Sequence, residues 1–396
     1  MERWTRAERP SRIPAVVGAL AVAVLLWPFT APPATGGPVA FPRQVASYSW
    51  WTPMLEESEV GTATMLYQNG FGVEFLDLPQ SVVLGADAST YRRLGAAEQR
   101  STGADQGDPA SSVLSADGSF VVISGPGRDG GVEIVDLGTD ERRGLPIGDG
   151  RSAVALSIDS AGESVLLLTS DDEMSRYRDA QFLLNGDLAV LDLPTGEVRD
   201  LPLDGPVHSA ALSPDGTVIA AETSDALVIL DAGTGGVLTS RAPVGGGLDG
   251  DAFSPDGRRL AVPEAEGLRV VEWAGTAEDR LLPLPADSWS SAVGWRDDGT
   301  VLLHVSDSDG GNGSMFAWAD VGSGELDVFS RYSADAFTGA ALGSADVARD
   351  LVAEWAVVES RRGSGAPLGV PHVLVAGLLA GLVVRSVSVA GARRVV

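Results

Sequence analysis

Three histidines, His208, His304 and His372, are the side chains of this 396-residue sequence best suited to proton transfer or metal binding, and they fall in three separate segments. No His-Glu-x-x-His pair and no Gly-x-Ser-x-Gly turn accompanies them, so zinc hydrolysis and a nucleophile elbow lack their residues. The chain has no cysteine, which removes disulfides, thiolate metal sites, a cysteine nucleophile and a lipid-bearing N-terminal cysteine. Every basic residue is arginine, which removes Schiff bases and Ser–Lys dyads. Gly125-Pro-Gly-Arg-Asp-Gly130 has the spacing of a dinucleotide fingerprint, but that loop works only where a strand feeds a helix. Here it joins the strand-like runs Phe120–Ile123 and Val132–Val135 and reads as a hairpin. Asp307-Ser-Asp-Gly-Gly-Asn-Gly-Ser314 presents oxygen ligands at alternate positions, as the first half of a calcium loop does. The late bidentate acid such a loop needs is missing, because Asp320 belongs to a turn of its own, and a solvated loop results. Asn312-Gly-Ser314 is also a formal glycosylation sequon. No catalytic, metal or cofactor-binding residue is assigned, and no cofactor is implied.

What positions these residues is a repeat. Ala211-Leu-Ser-Pro-Asp-Gly-Thr217 and Ala252-Phe-Ser-Pro-Asp-Gly-Arg258 each set a Ser-Pro-Asp-Gly turn between two apolar runs. They lie roughly 40 residues apart, a period that belongs to stacked four-stranded units. The same pattern occurs at Val113-Leu-Ser-Ala-Asp-Gly-Ser119 and Val293-Gly-Trp-Arg-Asp-Asp-Gly-Thr300, and in weakened form at Ala155-Leu-Ser-Ile-Asp-Ser160. A second signal runs in register with it. The third strand of each unit ends in an acid followed by a Gly/Thr/Ser turn: Asp136-Leu-Gly-Thr139, Asp192-Leu-Pro-Thr-Gly196, Asp231-Ala-Gly-Thr-Gly235 and Asp320-Val-Gly-Ser-Gly324, with Glu272-Trp-Ala-Gly-Thr276 as a variant. Aspartate closes such turns by accepting backbone N–H groups two residues on, and glycine supplies positive φ.

These units resemble the blades of WD40-like and TolB-type β-propellers, in which Ser-Pro-Asp-Gly joins the innermost strand to the second. The resemblance runs from about Tyr67 to Phe329 and is strongest over Pro206–Leu284. The Trp-Asp dipeptide and Gly-His pair of strict WD40 repeats are absent, so the partner surfaces of that family do not carry over. The expected fold is all-β. Units of about 40–45 residues over 45–360 give a propeller of about seven four-stranded blades. Strand pairs are expected at Thr64–Gln68 with Val73–Leu76 and at Val82–Leu84 with Tyr91–Leu94. The degenerate last unit, Ala336–Val358, is expected to be completed by a strand at Ser47–Trp51, which would close the ring. Ser170–Asn185 is a polar insertion, and insertions in such arrays map to loops on one face, often the working one. His208, starting an innermost strand, could face the central channel, although a structural role is the plainer reading. Trp273, Trp289, Trp295, Trp318 and Trp355 read as packing between blades rather than as a ligand cage.

Two hydrophobic segments flank the repeats. Residues 1–12 carry four arginines and precede Ile13–Ala31, which has no charge. Roughly 20 apolar residues span a bilayer, and the basic flank places residues 1–12 in the cytoplasm. A cleaved signal peptide and a buried helix are the competing readings. Residues 32–44 form a Pro/Gly linker and 361–367 a second one. Leu368–Val384 is then either a second transmembrane helix, followed by a basic tail at 385–396, or a last strand pair at Val373–Val375 and Leu382–Val387. The spanning readings put the propeller on the extracytoplasmic side of a bacterial cell membrane.

With 54 acidic against 28 basic residues the net charge is −26. Such a surface repels a phosphate backbone, which excludes nucleic acid and favours a neutral or cationic protein or cell-envelope partner. The function expected is a non-enzymatic, ligand- or protein-binding scaffold. The alternative is a propeller hydrolase or lyase with a metal-assisted site of acids and His208 at the channel mouth.

Overall fold

The computed structural model describes residues 39–359 except 51, 72–78, 128–129, 176, 178–183, 276–277, 286–287, 308–312 and 335–339, together with 376, 377 and 379. In it the repeated turn closes through its own side chains. The Ser213 hydroxyl donates to Asp215 Oδ1 (2.7 Å) and accepts the Val218 N–H (2.9 Å), while Asp215 accepts the Thr217 N–H and Gly216 takes φ +71°. Ser254–Arg259 and Ser115–Phe120 repeat the same bonds. In the weakened copy Asp159 takes the part of the serine, accepting the Glu163 and Ser164 N–H groups. The second turn is equally regular: Asp136, Asp192, Asp231 and Asp320 each accept the N–H and hydroxyl of the Thr or Ser three residues on. The Thr195, Thr234 and Ser323 bonds hold three of these carboxyls below the usual aspartate range. Ser213 is buried, so Ser213→Ala strands the Val218 N–H and should cost about 1–3 kcal/mol in urea denaturation.

These hairpins build six blades, all within the compact unit Thr35–Ala366. Blade I is assembled from distant parts of the chain: Leu342–Val347 lies innermost, followed outward by Ala63–Asn69, Gln80–Gly85 and Tyr91–Arg93. Blade II comprises Ser112–Leu114, Phe120–Ile123, Val132–Asp136 and Arg142–Leu145. Blade III has Ser152–Ile158, Ser164–Ser170, Asp187–Asp192 and Val198–Leu201. Blade IV has Val207–Leu212, Val218–Thr223, Leu227–Asp231 and Val237–Arg241. Blade V has Arg259–Glu264, Gly267–Glu272 and Arg280–Pro283, its innermost position reduced to a bridge between Phe253 and Leu260. Blade VI has Ser288–Asp297, Thr300–Asp307, Gly313–Asp320 and Leu326–Ser333, with Gln44–Val45 added in parallel as a fifth, outermost strand.

The expected count of seven is therefore corrected to six. The first and last partial units are one blade, because Leu342–Val347 pairs with Ala63–Asn69 instead of founding a blade of its own. Residues 47–50 form no strand; the N-terminal contribution comes from Gln44–Val45 and from Ala40–Pro42, which runs parallel to Ala356–Val358. The Val73–Leu76 strand lies outside the described residues, and Ala63–Asn69 pairs with Gln80–Gly85. The flanking transmembrane helices are not supported either. Among the described residues no helix is long and apolar enough to cross a membrane. The segments 13–31 and 368–384 lie outside those residues but for 376, 377 and 379.

Each blade is buried on both faces, which explains its continuous apolar strands. In blade III, Val165 and Leu167 pack toward Val113 and Val122 of blade II, whereas Leu166 and Leu168 pack toward Ala210, Leu212 and Ile219 of blade IV. All four are fully buried, and each contributes about 1.5–3 kcal/mol relative to exposure. Neighbouring blades approach to backbone contact at Gly118, where a Cβ would lie 2.0 Å from the Ala63 carbonyl oxygen.

Candidate functional site

Five innermost strands and the Phe253 bridge of blade V surround the axis, each strand with one edge left without a ladder partner, and unpaired edges must find other acceptors and donors. Side-chain oxygens supply several. Ser124 accepts the Ala155 N–H (2.9 Å), Ser209 that of Leu248 (2.8 Å), Asp249 that of Ala292 (2.7 Å) and Asp346 that of Leu114 (2.6 Å). Each of these bonds ties one blade to the next, and two of them bring a carboxyl to the wall of the axial space.

That space is a cavity of about 490 Å³. Its walls are Val154, Leu156, Val293, Leu248 and Ala345, with Ser112, Ser157 and Ser344 between them. One end, where the innermost strands begin, is bordered by Asp105, Asp108, Pro126 and His208, and by Met174, Ser175 and Leu184 of the blade III insertion. Asp108 is held there by the Gln68 amide (2.8 Å) and the Tyr177 hydroxyl. Met174, Ser175 and Leu184 are thus the residues of the insertion that line the cavity among those described.

The other end is closed. After Leu342–Val347 the chain enters the 3-10 turn Arg349–Glu354, and Arg349 reaches across the axis. Its guanidinium donates to Asp251 Oδ1 of blade V (3.1 Å) and to the Ile158 carbonyl of blade III. The Asp350 N–H donates to the Ala116 carbonyl of blade II (3.0 Å), and the Ser160 hydroxyl to Asp350 Oδ1 (3.1 Å). Past blade IV, the Ser157 hydroxyl of blade III donates to the Gly250 carbonyl at the entry to blade V (2.7 Å). Gly250 has no room for a side chain: a Cβ would lie 2.2 Å from the Leu156 carbonyl oxygen.

Three carboxyls meet at this floor. Burial pushes Asp249 up to about 7, against the lowering effect of the Ala292 N–H and with a further push from the charge of Asp251. Asp251 is raised by burial, which the Arg349 charge opposes. Asp346 is raised well above the usual range by burial and then by Asp251, with which it shares a hydrogen bond. Among the described residues no group of three or more His, Asp or Glu is arranged to hold a metal ion.

Of the two histidines among the described residues, His208 reaches the cavity and His304 does not; the His208 Nδ1 has no hydrogen-bond partner. His304 is buried in blade VI against Phe316 (5.4 Å between ring centres), and burial lowers its pKa to about 4. His372 and Asn312 lie outside the described residues. Gly125 pairs with Ala153 of blade III through two backbone bonds, so the glycine-rich loop is a hairpin connection tied to its neighbour. Asp307, Gly313 and Ser314 belong to blade VI strands, and 308–312 are not described. Among the described residues no tryptophan lines the cavity, and two of them, Trp318 and Trp355, meet in one aromatic cluster (6.2 Å between ring centres) with Phe41 and Phe329. Trp295 and Trp273 donate to the Ala252 and Gly257 carbonyls, Trp318 stacks on Phe329 and Trp355 on Phe41. Trp289, near the start of an innermost strand, is 72% exposed.

Asp249, Asp251, Asp346 and Arg349 were missed. Asp249 and Asp251 sit in a turn, as many other aspartates here do, and Asp346 sits near the end of a strand, so nothing local set them apart.

Strand pairing and cavity together define a six-bladed β-propeller with an axial chamber closed at one end. No family model and no curated protein matches the chain. Solved structures similar to it include a putative TolB from Agrobacterium tumefaciens, 15% identical over 57% of this chain and 81% of that one, at a TM-score of 0.42. An oligogalacturonate lyase in complex with manganese is 14% identical, covering 68% and 74% of the two chains at 0.40. Hydrazine synthase from Kuenenia stuttgartiensis is 16% identical, covering 56% and 64% at 0.39. The propeller assignment rests on the strand pairing itself.

Proposed function

We propose that this chain is a binding propeller whose axial cavity takes a neutral or cationic group, such as a small amine or the basic end of a peptide, without covalent chemistry. The observation that carries this reading is a closed-ended chamber of about 490 Å³, within the usual range of ligand sites, lined by apolar walls and few polar groups. Its border and floor hold five aspartates against one arginine, and that arginine is already engaged by Asp251. An anion entering would meet carboxyls from several blades; a cation would meet acceptors. The carboxyls also have structural work, since Asp249 and Asp346 each hold a neighbouring blade's N–H.

The test is titration calorimetry with putrescine, agmatine and spermidine against succinate and glutarate, repeated on Ser344→Trp, which fills the chamber from its wall. Binding of at least one amine, none of the dicarboxylates, and loss in the tryptophan variant are expected. Dicarboxylate binding, or amine binding untouched by Ser344→Trp, would overturn the reading. A second reading has one specific support: a carboxyl poised near neutrality beside a cavity, as Asp249 is, suits general acid–base catalysis. Turnover of a bound compound that Asp249→Asn abolishes without loss of binding would favour it.

A further inference from the structure

We infer that His208 and Asp249 are the residues that select the cavity's ligand, and that the ligand they select is a primary amine with an apolar body. The inference rests on the binding reading and narrows it. Both residues hold the same place in the repeat, five positions before the serine of a Ser-Pro-Asp-Gly turn, Ser213 for His208 and Ser254 for Asp249. The equivalent residues of blades II and III, counted back from Ser115 and Asp159, are Ala110 and Val154. All four line the cavity, so one position of the repeat is apolar on two blades and polar on the next two. The seam between blades IV and V keeps the polar pair together. There the Ser209 hydroxyl oxygen accepts the Leu248 N–H (2.8 Å), and these are the chain neighbours of His208 and Asp249.

Unfilled hydrogen-bond capacity separates this pair from the other polar groups at the cavity. Arg349 answers Asp251, the Gln68 amide and the Tyr177 hydroxyl fill Asp108, Thr102 donates to Asp105, and the Leu114 N–H donates to Asp346. Asp249 accepts the Ala292 N–H on Oδ2, which leaves Oδ1 without a donor among the described residues. The Nδ1 of His208 is buried and has no partner either. A buried acceptor without a donor is costly, and a ligand N–H repairs it. A primary ammonium brings several N–H donors together with a positive charge, so it suits a carboxylate oxygen and an imidazole nitrogen at once. A quaternary ammonium keeps the charge but has no N–H to give. Beyond the pair, Val154, Leu156, Met174, Leu184 and Leu248 present apolar side chains, which suit a hydrocarbon body.

Titration calorimetry at pH 8 with hexylamine, hexyltrimethylammonium and hexyl methyl ether tests this. It is run on the unsubstituted chain, on His208→Phe and on Asp249→Asn, whose amide oxygen still accepts the Ala292 N–H. Hexylamine should bind about tenfold or more tightly than either analogue, the worth of one hydrogen bond to a charged group. Each substitution should weaken hexylamine by about the same factor and leave the ether, which has no donor, unchanged. General damage to the fold would weaken both. Should His208→Phe fail to fold, His208→Leu carries the same contrast. Failure of hexylamine to bind, equal affinity for the trimethyl form, or an affinity that either substitution leaves untouched would each overturn the selection by this pair. In each case the chamber reading would still stand if one of the amines of the first test lost its binding in Ser344→Trp.

Discussion

Arg349→Met should lower the stability of the propeller by about 3–5 kcal/mol at pH 7, the range for removing one partner of a buried ion pair. The side chains of Arg349 and Asp251 are 11% and 13% exposed, so solvent does little to screen the loss. Methionine keeps most of the volume, which leaves the charge as the main change. Asp251 would keep its desolvation without its counter-charge, and the Ile158 carbonyl would lose its donor. The cost should shrink toward pH 4, where Asp251 can replace the missing charge with a proton. Adding Asp251→Asn should recover a large part of the loss at pH 7, because the stranded carboxylate is then gone. Urea denaturation of the three proteins at pH 4 and 7, with slopes compared, checks this. A loss under about 1 kcal/mol at pH 7 would mean that Arg349 is not the tie between blades I, III and V that its contacts describe.

That tie also shows where sequence reading stops. The Ser-Pro-Asp-Gly and Asp-x-x-Thr turns were legible because all their bonds fall within six residues, as at Ser213–Val218 and Asp231–Thr234. Blades II, III and IV followed, since each is a run of consecutive hairpins. The blade count was not legible. Leu342–Val347 finds its partner in Ala63–Asn69, more than 270 residues earlier, and no local pattern announces a pairing at that distance. The same segment read as a degenerate blade because the three strands that complete it lie at the start of the domain. Histidine placement was half legible: the start of a strand put His208 at the channel, whereas nothing local told His304 from a ligand until its burial against Phe316 was seen. The floor carboxyls were illegible for the reason the blade count was. Asp249 and Asp251 lie close in sequence, but Asp346, Arg349 and the Ile158 carbonyl come from other blades and meet them only once the ring closes.

Asp249→Asn should raise stability at pH 8 by roughly 2–4 kcal/mol and leave it unchanged near pH 4. The carboxyl is pushed up to about 7 in the folded chain, while an unfolded aspartate titrates near 3.9. Between those values the folded state holds a proton that the unfolded state has released, so unfolding becomes easier as pH rises. The contribution of Asp249 is thus complete below about pH 4 and lost on passing through 7. Asparagine mimics the protonated form, because its carbonyl can still accept the Ala292 N–H. Raised Asp251 and Asp346 tilt the curve the same way. His304 tilts it the other way. Its folded pKa of about 4 lies below the usual 6.5, so its contribution is present above 6.5 and lost as pH falls through 4. Between pH 4 and 6.5 the two slopes oppose, and the unsubstituted protein should look flatter than either group alone would make it. Separating them needs both single variants: Asp249→Asn should remove part of the alkaline loss, and His304→Phe should remove the acid loss. Stability measured at five pH values from 4 to 8 in urea decides the matter. Curves for Asp249→Asn and the unsubstituted chain that run parallel throughout would show that this carboxyl ionises as freely in the ring as outside it.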